Sequence, residues 1–227
     1  MAEGDTPKVS IIVVHWAQNE FRSQKMRECI VSLIQTTGLS FPEIIVVDNG
    51  GNYEDSQFLL DQTNDGNISC YIRNRKNMSF GFARNQGLKM ATGEYICISD
   101  NDILYKEGWL EKCIGILEAH PDRKIGVTPL RTDRQHRQAK CWKGELEFNG
   151  EKLLLNTKAG SNCWVMRKED FLEVGRFLQH RVAGSKWADK FVDKGYLMVT
   201  MEKNPLAEDL AFKKGYNFRA PIENTEL

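Results

Sequence analysis

Two acidic side chains follow an apolar run in the middle of the chain. Asp100 and Asp102, separated by Asn101, come directly after the predicted strand Glu94–Ser99. Carboxylates bind hard cations such as Mg²⁺ or Mn²⁺, which usually keep coordination positions for substrate phosphates. A cation held there would neutralise the charge that builds on a departing diphosphate. The alternative is that the two acids cap a following helix, because Asp is favoured at helix N-termini.

Two further predicted strands also end in residues that could bind a ligand. His15 and Trp16 follow the first apolar run of the chain, and Asp48 and Asn49 follow the second. In an open parallel sheet, ligands bind at the carboxyl ends of the strands. If the sheet is parallel, these strand ends and the two acids therefore lie at one edge.

The first part of the chain alternates between strands and helices. Strands are predicted at Val9–Val14, Glu43–Asp48, Ser69–Ile72, Glu94–Ser99 and Ile125–Pro129. Helices are predicted at Phe21–Thr37, Asp55–Gln62, Gly81–Ala91 and Lys106–Ala119. Such alternation favours an α/β fold with a Rossmann-like, mostly parallel central sheet flanked by helices.

The pattern becomes mixed α+β after about Leu130. Strands at Cys141–Phe148 and Lys152–Asn156 surround the turn Asn149–Gly150, which predicts a hairpin. A further strand is predicted at Ala159–Met166, then a helix from Lys168, and then short helical and loop segments up to Leu227. Without a linker or a repeat, residues 1–227 are interpreted as a single domain whose halves meet near residue 130.

Composition narrows the possible partners and the compartment. Lys plus Arg and Asp plus Glu each number 31, so the formal net charge is zero and sequence-independent nucleic-acid binding is not expected. The N-terminus has no signal-peptide pattern, and no apolar run is long enough to span a bilayer. The six cysteines form no CxxC pair and are interpreted as buried residues in a reducing compartment rather than as disulfides or a zinc site. A cytoplasmic protein with at most peripheral membrane contact is expected.

Four sequence blocks, in order, resemble the family 2 glycosyltransferases of the GT-A fold. These blocks are VSIIVVHW, EIIVVDNGG, NMSFGFARNQGLKMATGEYICISDND and AGSNCWVMRKEDFLEVGRF. The last of them, residues 159–177, is similar to the family's acceptor-side block. The resemblance implies an inverting transfer of a sugar from a nucleotide diphosphate sugar, with a UDP-sugar favoured, to a hydroxyl acceptor. It also implies a divalent Mn²⁺ or Mg²⁺ as cofactor and a GT-A domain whose nucleotide-sugar half ends near residue 130.

The resemblance implies a nucleotide pocket at the ends of the first two strands. Asp48 would accept a hydrogen bond from the base, and Val14 would lie beside the nucleotide. Trp16 would stack on the base, or it is a core aromatic. His15 would touch the ribose, or it packs in the core.

The same resemblance assigns the surroundings of the acidic pair. Asn77 and Arg84 would lie near the nucleotide, although Arg84 could equally brace Asp100 through an ion pair. Gly81 would let the backbone approach the ligand, or it merely opens the helix. Asp100 would contact the ribose or the metal, with Asn101 beside it in the nucleotide site. Asp102 would coordinate the metal directly.

The general base is implied by the segment KWADKFVDKGY, residues 186–196. The family commonly has a Glu-Asp pair here, so Ala188 replaces the Glu and Asp189 takes the place of the base. Asp193 is the second candidate. The alternative for Asp189 is a salt bridge on a helix face to Lys186 or Lys190.

A third metal ligand is also implied, where the family often has a His. No His follows His180, and Glu208 and Asp209 stand nearest that place, with Glu208 taken as the ligand. Alternatively, Glu208 and Asp209 are themselves the Glu-Asp pair, since Gly215–Tyr216 follows them. A plain pair of acids at a helix N-terminus is the third interpretation.

Basic residues recur every third position in the segment Arg131, Arg134, Arg137, Lys140 and Lys143. They form either a solvated loop or a basic rim for an anionic acceptor, such as a glycan or a lipid-linked phosphate, or for a membrane surface.

Two other functions of the protein remain open. One is a catalytically silent sugar-nucleotide binding protein, and the other is a nucleotidyltransferase, which usually has a Gly-rich phosphate loop that VVHWAQNEF lacks.

Overall fold

The computed structural model describes residues 9–17, 19–37, 42–131, 141–157, 162–179, 183–201 and 205–210. The strands are β1 Val9–His15, β2 Glu43–Asp48, β3 Cys70–Arg73, β4 Tyr95–Ser99, β5 Ile103–Tyr105, β6 Ile125–Arg131, β7 Trp142–Phe148, β8 Glu151–Asn156, β9 Cys163–Arg167, β10 Leu197–Met201 and β11 Ala207–Asp209. The helices are α1 Glu20–Thr36, α2 Tyr53–Asn64, α3 Phe80–Met90, α4 Trp109–Ala119, α5 Lys168–Val174 and α6 Ala183–Asp193.

The sheet confirms the expected α/β fold class. Its strands run in the order β3-β2-β1-β4-β9-β6-β10-β8-β7, and the short strands β5 and β11 pair at its side. The four strands from β3 to β4 pair in parallel, as the strand–helix alternation predicts. Beyond β4, the pairing becomes mixed: β9 is antiparallel to β4 and β6, β10 is parallel to β6, and β7–β8 is the expected hairpin.

Helices cover both faces of the sheet because the central strands are apolar on both sides. Ile11 and Val13 of β1 belong to the core on the side of α1 and α4, whereas Ile12 packs on the side of α3. Successive side chains of a strand point to opposite faces, so a continuous apolar run needs two covering layers. Every residue of β1 is buried.

Several element boundaries differ from those predicted from the sequence. Helix α4 begins at Trp109 rather than Lys106, because Lys106–Gly108 form a turn and Gly108 is its N-cap. The short strand β5 was not predicted, and β9 covers Cys163–Arg167, whereas residues 159–161 of the predicted strand lie outside the described residues.

The C-terminal part contains two strands that the sequence analysis missed. There β10 and β11 occupy positions where only helical and loop segments were expected. Both β5 and β11 are only three residues long and pair with each other, so neither has a periodicity that marks it. Their existence depends on partners far along the chain.

The cysteines behave as expected for buried thiols. All six are free, and all but Cys70 are buried. Cys97 and Cys163 lie on adjacent strands with their sulfurs 3.9 Å apart, and burial raises the pKa of Cys97 far above its usual range. Within the part of the chain that the structure describes, no helix is long and apolar enough to cross a membrane.

Candidate active site

The strand ends gather at one edge of the sheet, as predicted. His15 at the end of β1 is directly opposite Asp48 at the end of β2, and Val13 is opposite Ser99 at the end of β4. The backbone N–H of Asn49 donates to the backbone carbonyl of His15 at 2.7 Å. The residues that follow all three parallel strands therefore share a single surface.

Asp48 is completely buried and holds the loop that follows β2. Its Oδ1 accepts from the backbone N–H of Gly51 at 2.7 Å, and its Oδ2 accepts from Ser56 Oγ at 2.6 Å and from the hydroxyl of Tyr71 at 2.9 Å. Arg73 Nε lies 3.5 Å from the same oxygen. Burial, and then the Asp48 charge, raise the pKa of Tyr71 to about 12, so Tyr71 remains a donor at neutral pH.

The loop after β2 packs against the segment that precedes α3. Asn49 Nδ2 donates to Asn77 Oδ1 at 3.0 Å, and the backbone N–H of Met78 donates to Asn49 Oδ1 at 3.0 Å. Gly50 has a φ of +86°, and a Cβ built on it would lie 2.7 Å from the carbonyl carbon of Lys76. Only glycine fits this position, so the loop and the exposed Asn77 are held together at the edge of the site.

Arg84 braces Asp100, which is one of the two roles that the sequence allowed. Its Nη2 donates to Asp100 Oδ1 at 2.9 Å, and its side chain is completely buried. The guanidinium also lies over the ring of Phe80, 3.8 Å from its centroid. Burial lowers the pKa of Arg84 to about 10 against the opposing effect of Asp100, so the residue stays cationic at neutral pH.

Asp100 and Asp102 do not cap a helix. The residues that follow them form β5, and α4 begins later behind Gly108, without any side-chain cap. The helix-cap interpretation is therefore wrong.

The two acids form one electrostatic cluster with Asp209. Burial, with contributions from Asp102 and Asp209, raises the pKa of Asp100 to about 7 despite Arg84. Burial and the charge of Asp209 raise the pKa of Asp102 to about 6, against a smaller opposing effect of Arg22. The three carboxylates thus oppose one another's ionisation, and a cation would relieve this repulsion.

Asp209 reaches this cluster through the β5–β11 ladder. It is paired with Ile103, and the backbone N–H of the next residue, Leu210, donates to the carbonyl of Asp102 at 2.8 Å. Asn162 links Asp209 to the acidic pair. Its side-chain Nδ2 donates to Asp209 Oδ2 at 2.5 Å, and its backbone carbonyl accepts from the backbone N–H of Asp100 at 2.7 Å. The sequence placed Asp209, together with Glu208, nearest the position of a third metal ligand, whereas nothing in the sequence singled out Asn162 as its support.

Glu208 is not among the charges that raise the pKa of Asp100 and Asp102, and its assignment as a metal ligand stays a prediction. Its Oε1 forms an ion pair with Lys106 Nζ at 3.1 Å. Successive side chains of a strand point to opposite sides, so β11 directs Glu208 away from the side of Asp209. Of the two acids that the sequence named, the structure brings Asp209 beside Asp102.

Asp189 lies on the exposed surface of α6. Its side chain is 68% exposed, and Oδ2 lies 3.9 Å from Lys186 Nζ. This is the helix-face ion pair that the sequence left open. The buried face of the same helix is formed by Trp187 and Phe191, which pack against the aromatic residues Trp164, Phe171, Phe177 and Tyr196.

The remaining predicted residues surround the site at different depths. Val14 is buried in a small cluster with Val47 and Ala83. Trp16 is half-buried just beyond β1, and Gly81 is buried in the first turn of α3. Arg134, Arg137 and Lys140 of the basic row lie outside the described residues, whereas Lys143 is exposed on β7.

The donor set fits a hard divalent cation, provided that a substrate supplies further ligands. Asp100 and Asp102 offer carboxylate oxygens, although Oδ1 of Asp100 is already used by Arg84. In the described ranges, no group of three or more His, Cys, Asp or Glu side chains is arranged to hold an ion by itself. Mg²⁺ typically binds through one or two carboxylates together with substrate phosphates, which is the arrangement available here.

Solved structures with the same fold are GT-A glycosyltransferases. The mannosyltransferase PcManGT from Pyrobaculum calidifontis, in complex with GDP-Man and Mn²⁺, superposes with a TM-score of 0.70 at 18% identity, covering 92% of this chain and 59% of that one. GalNAc-T7 with UDP, GalNAc and Mn²⁺ superposes with a TM-score of 0.67 at 15% identity, covering 89% and 43%. These likenesses establish the fold.

The family follows from the sequence itself. Residues 10–175 match the family model for glycosyl transferase family 2, and the chain belongs to that family. It is 29% identical over 122 residues to an uncharacterised glycosyltransferase of Methanocaldococcus jannaschii, covering 54% of this chain and 41% of the relative. It is 26% identical over 115 residues to the glucosyl-dolichyl phosphate glucuronosyltransferase of Haloferax volcanii, covering 51% and 36%. These matches each span about half of this chain and less than half of the relative.

Proposed function

We propose that this chain transfers a sugar from a nucleotide diphosphate sugar to a hydroxyl acceptor, with inversion at the anomeric carbon. The observation that carries the proposal is the meeting of three acids, Asp100, Asp102 and Asp209, at the carboxyl edge of the sheet in a family 2 chain. The two similar structures that contain UDP or GDP-Man together with Mn²⁺ support the same class of donor and cation.

Asp100 and Asp102 would hold the Mn²⁺ or Mg²⁺. When bound, the ion would neutralise the negative charge that develops on the leaving diphosphate. Arg84 orients Asp100 and favours its ionised form, since its charge is buried directly against that carboxylate. In this arrangement, Asp48 shapes the nucleotide pocket by fixing Gly51 and Ser56, and the ring of Trp16 is the candidate stacking surface for the base.

Asp209 is the candidate general base. The acceptor oxygen attacks the anomeric carbon, the bond from that carbon to the diphosphate oxygen breaks, and the acceptor proton passes to a carboxylate. The assignment of Asp209 as the base is supported by its place beside Asp102 and by the hydrogen bond from Asn162. Its register is fixed by the pairing of β11 with β5. Asp189 is less suited, since it is exposed on α6 and ion-paired with Lys186.

The acceptor class to test first is a phosphate-bearing, lipid-linked sugar. A relative named for glucosyl-dolichyl phosphate supports this choice, as does the basic row that begins at Arg131. Charge reversal at Arg134 and Arg137 is expected to weaken acceptor use and to leave donor hydrolysis unchanged. An equal loss of both would argue against a role in acceptor binding.

The decisive experiment measures release of nucleoside diphosphate from a panel of UDP-, GDP- and dTDP-sugars with Mn²⁺ or Mg²⁺. Activity is expected only with a divalent cation, and chelation should abolish it. Asp102→Ala should lower turnover by about a hundredfold or more, because metal stabilisation of the leaving group contributes several kcal/mol. The matched control is Asp122→Ala, which removes an exposed acid in the turn after α4.

Turnover that survives chelation and Asp102→Ala would overturn the metal assignment. Binding of a nucleotide sugar without turnover on any acceptor would instead favour a sugar-nucleotide binding protein.

A further inference from the structure

His15 is buried at the end of β1 and is bonded through both ring nitrogens. Its Nε2 lies 3.0 Å from Asp55 Oδ2, and its Nδ1 lies 3.0 Å from Asn101 Nδ2. The side chains of His15 and Asp55 are completely inaccessible to solvent. One ring thus connects the first turn of α2 with the central residue of the acidic loop.

The direction of these hydrogen bonds follows from the groups involved. An amide nitrogen is only a donor, so Asn101 Nδ2–H donates to Nδ1 of His15. A neutral imidazole that accepts at one nitrogen carries its proton on the other, so Nε2–H donates to the Asp55 carboxylate. The acid therefore selects the tautomer that can hold the asparagine.

Asp55 is itself fixed from two helices. Its Oδ2 accepts from Ser23 Oγ at 2.6 Å, and its Oδ1 accepts from Arg27 Nη2 at 3.1 Å, both on α1. Its own backbone N–H donates to the N-cap residue Asn52 at 2.8 Å. The carboxylate is thus held in one position from several directions.

The position of the ring is also enforced by close packing. A Cβ built on Gly51 would lie 3.0 Å from Nε2 of His15 and 2.9 Å from Oδ1 of Asp48. A side chain at position 51 would therefore crowd the ring, and the absence of one lets the loop after β2 pack closely against His15.

We infer that Asp55, acting through His15, is a positioning device that fixes Asn101 and so orients Asp100 and Asp102. The inference deepens the proposed function and rests on it for the metal. Outer hydrogen-bond partners of metal sites typically contribute a factor of about 10–100 to metal affinity. His15 is thus a positioning residue, and the ribose contact expected from the sequence is not needed to explain its place.

The first test needs neither metal nor substrate. Hydrogen–deuterium exchange of a peptide that covers residues 99–105 is compared in the wild type, His15→Ala, Asn101→Ala and the double variant. Faster exchange is expected in all three variants, with the double variant no faster than either single one. Asp55→Ala should behave like His15→Ala, whereas Asp55→Asn keeps an acceptor for Nε2–H and should retain most of the protection.

The second test measures binding of Mn²⁺ in the presence of saturating UDP, by electron paramagnetic resonance of the free ion. His15→Ala and Asn101→Ala are each expected to weaken binding about tenfold or more. The double variant should lose no more than one single variant, because the residues act in series. The control is Asp61→Asn, which changes an exposed acid on α2, the helix that carries Asp55. This variant should bind Mn²⁺ like the wild type.

The outcomes separate this inference from the proposed function. Additive losses, or a lowered melting temperature with unchanged Mn²⁺ affinity and unchanged exchange of residues 99–105, would overturn the positioning role. If the wild type binds no Mn²⁺, the proposed function loses its metal, and the exchange data alone then decide whether His15 holds the loop.

Discussion

The two sides of the acidic cluster are built differently. On the side of β1, β2 and β4, Asp48 and Asp55 are completely buried and each accept several hydrogen bonds, and the buried Arg84 donates to Asp100. On the C-terminal side, Asp209 stands on a three-residue strand, and Asp189 stands on the exposed face of a helix. The first side is a rigid frame, whereas the second depends on one short ladder.

This difference suits two separate tasks in the proposed reaction, namely holding the donor with its cation and removing the acceptor proton. Under the proposed function, the buried side holds the donor and the cation in fixed geometry, because Asp48, Asp55 and Asp100 each have hydrogen-bond partners that restrict their rotamers. Under the proposed function, the acceptor binds on the C-terminal side, where the short strand β11 carries Asp209 to the cluster. Four predictions test this comparison, in order of decreasing effect.

The largest effect is expected from removing Asp209. Asp209→Asn should lower kcat about 10²–10⁴-fold, the usual contribution of a general base, while Asp189→Asn should stay within about twofold. Both kcat values are measured with the donor and cation found most active. A greater loss for Asp189→Asn would reverse the roles given to β11 and α6.

The next effect concerns stability. Arg84→Met leaves Asp100 without its buried partner and should lower the free energy of unfolding by about 3 kcal/mol. Lys186→Met, which breaks the exposed pair with Asp189, should change it by less than about 1 kcal/mol. Urea unfolding measures both. Equal effects would show that the two sides are not differently built.

Helix interiors provide a third test. Gly87→Ala puts a Cβ 2.4 Å from Cγ2 of Ile12 between α3 and β1, and we expect about 2 kcal/mol of destabilisation from this overpacking. Gly115→Ala also meets a side chain, Phe148 at 2.9 Å, but that half-buried ring can move away. The variant should therefore be neutral or more stable by up to about 1 kcal/mol, because alanine favours the helix. Thermal unfolding compares them, and destabilisation of both would contradict the difference.

The smallest effect depends on pH. The pKa of Asp55 is lowered because hydrogen bonds from His15 and Ser23, with Arg27, outweigh the effect of burial. A lowered folded-state pKa means that ionised Asp55 stabilises the fold above its ordinary value of 3.8, and that this stability is lost as the pH falls through the folded-state pKa. Asp55→Asn should thus be less stable than the wild type by about 1–2 kcal/mol at neutral pH.

This gap between the wild type and Asp55→Asn should shrink below the ordinary pKa of Asp55. Urea unfolding at a series of pH values measures it, with Asp61→Asn as the control whose gap stays small throughout. A gap independent of pH would mean that packing, and not the charge of Asp55, is what the substitution disturbs.

The buried edge of the site could be predicted from local sequence. His15 and Asp48 end apolar strands and Asp100 directly follows one, so the pattern assigned all three to one edge once the strands were parallel. The order of the motifs also identified the family before any coordinates. Such predictions succeed because a strand and the residue that ends it are neighbours in the chain.

The C-terminal acid that meets the cluster could not be chosen from local sequence. Asp209 rather than Glu208 faces Asp102 because β11 pairs with β5, and a shift of one residue in that short ladder would exchange the two side chains. The tautomer of His15 likewise depends on Asp55 and Asn101, which are distant from it in the chain. Register and hydrogen-bond direction are set by contacts between separate elements, and a local pattern of residue types carries no information about them.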